Sequence, residues 1–422
     1  ASWFTQISNK GFKGDLALLT TNGNIGYTAQ TEARVNGLNL RWYGIDETGK
    51  ICALYANERE YSKSEKYIIP KQKEIYQRFK LATTPVNIKR SIGSPNNVPK
   101  KGEKVIRGNG SILCLKEALM TDYSSVTYTT DDTNFFAKVY TVDALKIDML
   151  ENKANRMIEE DVKISGVCWP VDIIKDINGC FVGVLVPYSK GIQLTRSVFN
   201  GATGLVRYFP NWDKRDLCTL TVTILEKICK IHGLGVLFGC LNPASIYIAG
   251  KNEIYFVDTD CWQIEGYPAL SHNQTFTPPE VLRSDKTQLI YTTEHEKYQI
   301  ALLTFMLLMP GKFPYAKAKK IDEYDSIKDM SFAFSIGSDM RRTSDSERPS
   351  GIWRIMWDHL SYKLCDNFYN TFHTNGKHAQ SGNRLSDREW LTLVKDYSRF
   401  LDSSREGDSY KIFPSTFRRD GK

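Results

Sequence analysis

Two acidic residues and one lysine occupy positions at which charged side chains could carry out chemistry. Asp258 and Asp260 flank Thr259 directly after the apolar run at residues 254–257, which reads IYFV. Hard cations prefer carboxylate oxygens, so this pair is a candidate metal site, and a capped turn is the alternative. Lys138 lies inside the apolar run FFAKVY, where an unpaired ammonium group costs free energy. Its position favours a function over the alternative, a strand-edge lysine with its ammonium group in water.

The segment before the two acids has the spacing of a catalytic loop. Residues 238–245 read FGCLNPAS, and residues 258–260 read DTD. This order resembles the protein-kinase pattern H-R-D-L-x-x-x-N followed by a strand and D-F-G. Aligned in this way, Cys240 stands at the catalytic Asp, Ser245 at the metal-binding Asn, and Asp258 at the Asp of D-F-G.

Three motifs outside this loop support the same resemblance. Ala-Lys at Lys138 is similar to the kinase V-A-I-K strand, whose lysine pairs with the α and β phosphates. Residues 278–280, PPE, resemble the A-P-E that closes a kinase activation segment, and Glu296 stands where kinases usually carry an Asp. Residues 383–386, NRLS, resemble an Arg-Pro-Ser stretch in the last lobe, with Leu in place of Pro.

Within the kinase-like proteins, the chain is most similar to a bacterial family often linked to helix-hairpin-helix segments. The shared runs are WP at residues 169–170, VGVLVP at 182–187, a Gly-x-Leu-Asn-Pro loop at 239–243, and Asp-Thr-Asp in place of D-F-G. The resemblance covers roughly residues 105–400. Each run is short, but their order and spacing together are specific.

The elements that must position these residues are predicted from periodicity and from the resemblance. Short strand-like runs separated by Asn-Gly and Thr-Gly turns predict a small β-rich domain first. The resemblance implies an α+β chain in which a two-lobed protein-kinase-like fold follows this domain. The predicted bounds are 1–95 for the β-rich domain, 96–104 for a linker, 105–187 for the N-lobe, 188–402 for the C-lobe and 403–422 for a loose polar tail.

The resemblance also implies a nucleotide site that uses ATP and Mg²⁺. Lys138, Glu151 and Asp258 would contact the nucleotide, with Glu151 in the following helix as the partner of Lys138. Asp258, Asp260 and Ser245 would bind the metal ion. Because Glu151 fits the helical pattern poorly, the identity of the glutamate that pairs with Lys138 stays open.

Three departures from the kinase pattern bear on activity. Residues 119–128, LMTDYSSVTY, lie where the glycine-rich loop belongs and contain no Gly, although glycines let backbone amides approach phosphates closely. Cys240 replaces the carboxylate that accepts the substrate proton, and a thiol is neutral near pH 7 unless its pKa is lowered. Ser245 is shorter than Asn and a weaker metal ligand. Cys240 is therefore interpreted as a cysteine that fills the site of a lost Asp, and no catalytic residue is assigned.

These losses predict a pseudokinase that acts as a scaffold or regulatory switch in bacterial signalling and binds a protein partner. Nucleotide binding through Lys138 and Asp258 stays open. The first alternative is a divergent active Ser/Thr protein kinase in which Asp258 and Asp260 work with metal and ATP. The second is a nucleic-acid-binding or structural protein, which no stripe of aromatic and basic residues supports.

Composition is that of an ordinary globular protein. The 422 residues are 41% hydrophobic and 12% aromatic, and Lys plus Arg exceed Asp plus Glu by 56 − 48 = 8. This excess predicts a solvated, mildly basic surface. The nine cysteines show no C-x-x-C spacing, which favours a reducing, cytoplasmic location. The longest apolar run, residues 300–309, is too short to span a bilayer and predicts a buried helix.

Overall fold

The chain consists of two compact units, Ala1–Gln77 and Arg78–Lys422. The sequence places the first boundary near residue 95, whereas the second unit begins at Arg78. The computed structural model describes residues 15–19, 29, 33, 38–45, 51–55, 78–87, 95–239, 241–270, 273–284, 289–317, 322–336, 344, 346–403 and 410–418.

The first unit contains a three-stranded sheet. Its strands are β1 (Asp15–Leu19), β2 (Asn39–Ile45) and β3 (Ile51–Tyr55). The central strand, β2, pairs in parallel with β1 and antiparallel with β3. Ala33, Leu38 and Leu40 form the buried apolar cluster of this unit.

The first sheet of the second unit is six-stranded and antiparallel, and the region that contains it is here called the strand module (residues 104–187). The sheet order is β4-β5-β6-β7-β9-β8, and β8 pairs back with β4, so the sheet closes on itself. Helix α1 (Leu150–Glu159) lies between β7 and β8 along the chain. The six strands are β4 (Lys104–Arg107), β5 (Ile112–Thr121), β6 (Ser125–Thr130), β7 (Phe135–Tyr140), β8 (Asp172–Lys175) and β9 (Phe181–Pro187).

The strand module is followed by a mainly helical region, here called the helical module (residues 188–418). A small sheet of β10 (Ile192–Gln193), β11 (Ile246–Gly250) and β12 (Glu253–Phe256) lies within it. With strands first and helices after, the unit is α+β. The helices are α2 (Gly201–Tyr208), α3 (Lys214–Gly233), α4 (Pro279–Leu282), α5 (Thr293–Leu308), α6 (Glu323–Lys328), α7 (Ile352–Asp358), α8 (Tyr362–Phe372) and α9 (Asp387–Ser403).

Helix α5 is the centre of the helical module. Thr292 caps its first turn, and every side chain from Tyr298 to Leu308 is buried. A helix that is apolar on all sides must be surrounded by protein, and α3, α8 and α9 pack around it. The prediction of a buried helix at residues 300–309 is therefore confirmed. Among the helices that the structure describes, none is both long and apolar enough to cross a membrane.

Residues 410–418 differ from the loose polar tail predicted for residues 403–422. Ile412 is buried in the core of the helical module. The Arg215 guanidinium lies 4.3 Å from the centre of the Tyr410 ring, and the Arg418 amide donates to Asp358 Oδ2 at 2.6 Å. The prediction weighed the polar residues of this segment and overlooked the apolar side chains that anchor residues 410–418.

Candidate functional site

Lys138 is the centre of a buried group of charged side chains. Its Nζ donates to Asp258 Oδ1 at 2.8 Å and to Asp260 Oδ1 at 2.9 Å. The second oxygen of Asp260 accepts from the Tyr140 hydroxyl at 2.8 Å, and the second oxygen of Asp258 accepts from Ser245 Oγ at 2.8 Å. These five residues are called the Lys138 cluster. The side chains of Lys138 and Asp260 are only 3% and 1% exposed.

Strand pairing carries Lys138 into the cluster. On β7, Lys138 lies opposite Thr127 of β6 and Val184 of β9. The residue before Val184, Gly183, lies close to the backbone of β7, because a Cβ there would be 2.0 Å from the Lys138 carbonyl oxygen. Glycine at residue 183 therefore lets β9 pack against the backbone of the lysine.

Asp258 has a strained backbone that its neighbours hold in place. Its φ is +54°, in the left-handed region that a residue other than glycine seldom adopts. The next residue, Thr259, is buried and donates its hydroxyl to the Cys168 carbonyl at 2.8 Å, and the Val257 amide donates to the Ser245 carbonyl at 2.9 Å. Such strain persists where the surroundings over-determine it, often at a functional site.

The charges in the cluster support one another. Burial alone would lower the pKa of Lys138, but Asp258 and Asp260 outweigh it and hold that pKa well above its usual range. Burial alone would raise the pKa of Asp258, and Lys138 with Ser245 outweighs it, so this pKa lies below its usual range. Lys138 and Asp258 are thus both charged at neutral pH.

Glu151 does not take the position that was expected of it. Within the part of the chain that the structure describes, the Lys138 ammonium contacts Asp258, Asp260 and Cys261. The reason is the buried face of α1, which consists of Leu150, Lys153, Ala154 and Met157 at helical spacing. Glu151 lies to one side of this face.

Lys153 takes the inward position instead. It is buried, and its Nζ donates to the Pro268 carbonyl at 3.1 Å. Burial lowers its pKa to about 8, although Cys261 and Asp260 act in the opposite direction. The buried face of α1 thus brings a second lysine inward, and Asp260 provides a carboxylate to Lys138.

Replacing Glu151 with Gln is therefore expected to have a small effect on stability. What the carboxylate contributes is its interaction with the N-terminus of α1, about 0.3–1 kcal/mol. Urea denaturation of the full chain measures the change in unfolding free energy. A loss several times larger would contradict this prediction and would restore Glu151 as a partner of Lys138.

The turn between β5 and β6, which contains no glycine, is held by hydrogen bonds from its backbone amides to the Asp122 side chain. Asp122 Oδ1 accepts from the Ser124 amide at 2.7 Å and the Ser125 amide at 2.8 Å. Asp122 Oδ2 accepts from Ser125 Oγ at 3.1 Å. Sequence reasoning missed this role, although an Asp two residues before a Ser in a turn is the signature of an Asx turn. Amides that a glycine-rich loop would offer to phosphate are bonded to a carboxylate.

The cavity beside the cluster is small. It measures about 100 Å³, and Lys138, Ser245, Asp258 and Cys261 are among the residues that line it. Sites for small molecules usually measure about 300–1,000 Å³. Among the described residues, no group of three or more His, Cys, Asp or Glu side chains is arranged to hold a metal ion.

The β5–β6 hairpin contacts the helical module beside this cavity. Met120 Sδ lies 3.6 Å from the Tyr247 hydroxyl and 4.0 Å from Gln193 Nε2. The Tyr123 hydroxyl donates to the Leu270 carbonyl at 3.4 Å. The turn of the hairpin, residues 122–124, lines the cavity.

Helix α5 holds the backbone of the catalytic-loop equivalent. Cys240 lies outside the described residues, but its neighbours are fixed. Glu296 accepts from the amides of Phe238 at 3.1 Å and Gly239 at 2.7 Å. Gln299 accepts from the Leu241 amide at 3.2 Å and donates to the Gly239 carbonyl at 3.0 Å.

His232 joins three helices beneath this loop. Its Nε2 lies 3.2 Å from Glu296 of α5, and its Nδ1 lies 3.1 Å from Asp387 of α9. Carboxylates only accept, so both ring nitrogens carry protons. Burial alone would lower the pKa of His232, but the bonds to Asp387 and Glu296 raise it to about 9.

Two of the motifs singled out in the sequence meet in the structure. Glu280, from PPE, receives two hydrogen bonds from Arg384, from NRLS, at 2.6 and 2.8 Å. A planar guanidinium on a carboxylate in this geometry is a strong, directional pair. It ties the segment after the Lys138 cluster to the start of α9.

Comparison with known proteins supports a distant relationship to protein kinases. The chain is 24% identical over 270 residues to Protein kinase YegI of Escherichia coli (strain K12), a match that covers 60% of this chain and 40% of that protein. It is 25% identical over 200 residues to Protein kinase YegI of Escherichia coli O157:H7, which covers 44% of this chain and 30% of that protein. The chain thus spans less than half the length of these curated relatives. No protein-family model matches the chain. Together, the similarity and the motifs support a kinase-like relationship.

Proposed function

We propose that this kinase-like protein is a pseudokinase with a two-lobed kinase-like fold, in which the strand and helical modules are the lobes. It would act as a scaffold or regulatory switch for a protein partner. The observation that carries the proposal is the Lys138 cluster, in which Asp258 and Asp260 both accept from the lysine ammonium. Phosphoryl transfer in kinases needs the lysine to bind phosphate and the aspartate to bind the metal ion. Here Lys138 and Asp258 are bonded to each other instead.

The β5–β6 loop supports the same proposal. A triphosphate needs N–H donors, and two amides of this loop already donate to the Asp122 carboxylate. A nucleotide would have to displace a negative group, open the hairpin and enlarge a cavity of about 100 Å³. Binding of ATP with Mg²⁺ is therefore disfavoured in this arrangement. A cytoplasmic location and a role in bacterial signalling are part of the proposal.

ATP with Mg²⁺ is accordingly expected to leave the thermal unfolding midpoint of the full chain unchanged. A ligand at about 100 times its Kd would stabilise the folded state by roughly 2.7 kcal/mol, which a midpoint measurement detects. The measurement compares millimolar ATP with Mg²⁺, ATP with a chelator, and protein alone. A saturable, Mg²⁺-dependent rise in the midpoint, accompanied by transfer of labelled γ-phosphate, would reject the pseudokinase.

The alternative is a divergent active protein kinase. Two observations favour it: Lys138 and Ser245 both donate to Asp258, and the curated relatives are named protein kinases. In that case Asp258→Ala abolishes labelling by γ-phosphate, because the metal loses its carboxylate. Labelling that is absent from the unaltered chain would exclude this alternative.

A further inference from the structure

Residues 78–87, here called the strap, are the first residues of the second unit, and Phe79 is the one among them that is buried. All ten are described, and they form neither helix nor strand. The Phe79 side chain is fully buried, with its ring 5.8 Å from that of Trp169. The Phe79 amide donates to the Leu234 carbonyl at 2.9 Å, and the Val86 amide donates to the Gly266 carbonyl at 2.8 Å. The strap is therefore held at both ends.

The strap is bonded to the outer side of α1. The Arg156 guanidinium lies 5.0 Å from the centre of the Phe79 ring and pairs with Glu265 at 3.0 Å and Glu160 at 2.7 Å. Arg78 Nη1 donates to the Glu160 carbonyl at 2.7 Å. Phe79 thus supports the arginine that ties α1 to the segment after the Lys138 cluster.

The same segment connects the strap with the cluster. Lys153, on the inner side of α1, donates to the Pro268 carbonyl, and the Leu270 amide donates to the Cys261 carbonyl at 2.9 Å. Aromatic contacts provide a second connection. The Trp169 ring lies 6.5 Å from that of Trp262, the residue after Cys261, and Trp169 Nε1 donates to the α1 carbonyl of Met157 at 2.8 Å.

We propose that the strap is a regulatory element, and that seating of Phe79 holds α1 and the Lys138 cluster in the closed arrangement. Withdrawal of Phe79 would release Arg156, loosen α1 and expose the cluster. An irregular segment held by one buried aromatic side chain, two backbone hydrogen bonds and the Arg78 bond to Glu160 is suited to local opening, which costs less than global unfolding. Because residue 78 follows the first unit directly, a partner that binds residues 1–77 could shift this equilibrium. The proposal concerns opening of the cluster and does not depend on whether phosphotransfer occurs.

Alkylation of Cys261 in the native full chain tests the strap. Cys261 is half-buried at the wall of the cavity, 3.9 Å from Lys138 Nζ. Burial raises its thiol pKa to about 12, so little reactive thiolate is present in the closed state. In Phe79→Ala we expect N-ethylmaleimide to label Cys261 about ten times faster, which corresponds to about 1.4 kcal/mol of opening free energy. Peptide mapping locates the label, and Cys365, buried in α8, serves as the internal reference.

The matched control is Phe368→Ala, which truncates a second fully buried phenylalanine. Phe368 packs on Trp390 in the helical module, so its loss should lower stability without selectively exposing Cys261. If Phe368→Ala accelerates Cys261 labelling as much as Phe79→Ala does, or if Phe79→Ala accelerates Cys261 and Cys365 equally, the strap is only core packing and the proposal fails. Arg156→Gln, which removes the charge without leaving a large cavity, should accelerate Cys261 selectively as well. An unchanged rate in that variant would also overturn the proposal.

Discussion

Replacing Lys138 with Met is expected to lower the unfolding free energy by about 3–5 kcal/mol, because it removes one partner of a buried ion pair. Met fills a similar volume, so the loss arises from charge. Asp260, whose side chain is 1% exposed, and Asp258, which is 20% exposed, would be left without their cation. If Lys138 instead lay unpaired in an open cleft, its replacement would not lower the unfolding free energy in this way.

Urea denaturation measures this loss, and Lys190→Met provides the control. Lys190 pairs with Glu253 at 3.0 Å on the surface, where its side chain is 51% exposed. Exposed pairs contribute about 0–1 kcal/mol, so the same substitution at residue 190 should have little effect. Equal losses of unfolding free energy at residues 138 and 190 would contradict the interpretation of the Lys138 cluster as a stabilising buried ion pair.

A second variant separates charge from packing. In Lys138→Met the buried Asp260 carboxylate is unpaired, and a further Asp260→Asn change removes its charge while keeping a hydrogen-bond acceptor for Tyr140. We expect the double variant to regain part of the lost stability, with an interaction free energy of about 0.5–3 kcal/mol. Additive losses would mean that the lysine stabilises the protein through its aliphatic chain.

The sequence predicted the members of the cluster better than their partners. Lys138, Asp258 and Asp260 stand out because a charged residue in or after an apolar strand is conspicuous, and Ser245 stands out through its place in the kinase-like pattern. The pairing of Lys138 with Asp258 and Asp260 depends on how residues 120 and 122 positions apart meet in space, which no local pattern contains. The same reason applies to His232, whose two carboxylate partners lie 64 and 155 residues further along the chain.

Elements were predicted where periodicity was strong. The apolar run at residues 300–309 became the buried helix α5, and FFAKVY became strand β7. The prediction for α1 gave the helix but not its face, since Glu151 and Lys153 are both compatible with a polar surface. Only the packing of Leu150, Ala154 and Met157 turns Lys153 inward. The role of Phe79 was missed because one aromatic residue in an irregular segment has no periodicity.

Stability is also expected to fall as the pH rises from 6.5 to 8, through His232. Its pKa is about 9 in the folded state, against an ordinary value of 6.5. Below pH 6.5 the imidazole is protonated in both states, and its full contribution is present. As the pH rises, the unfolded chain loses this proton while the folded chain keeps it. At pH 6.5 the unfolded histidine is half deprotonated, so the slope rises from about half of its full value of about 1.36 kcal/mol per pH unit. The loss over this window is therefore about 1.6 kcal/mol.

Two other groups define the window in which this effect can be measured. Lys153 has a folded pKa of about 8, below its ordinary value of 10.5, so above pH 8 it makes stability rise and opposes His232. Burial lowers the pKa of His295, with Glu280 acting in the opposite direction, so its effect lies mainly below pH 6.5 and also opposes that of His232. Between pH 6.5 and 8, His232 therefore determines, among the described residues, whether stability rises or falls with pH.

Urea denaturation at pH 6.5, 7.25 and 8 tests this assignment in the full chain and in two variants. His232→Gln should lower stability at pH 6.5 and abolish most of the slope, because Glu296 and Asp387 lose their shared cation. His373→Gln, which changes a histidine stacked on Tyr369, should keep the slope of the unaltered chain. If His232→Gln keeps that slope, the imidazole does not hold a second proton in the folded state. The loop around residues 238–241 would then depend on Glu296 and Gln299 alone, without a charged histidine beneath it.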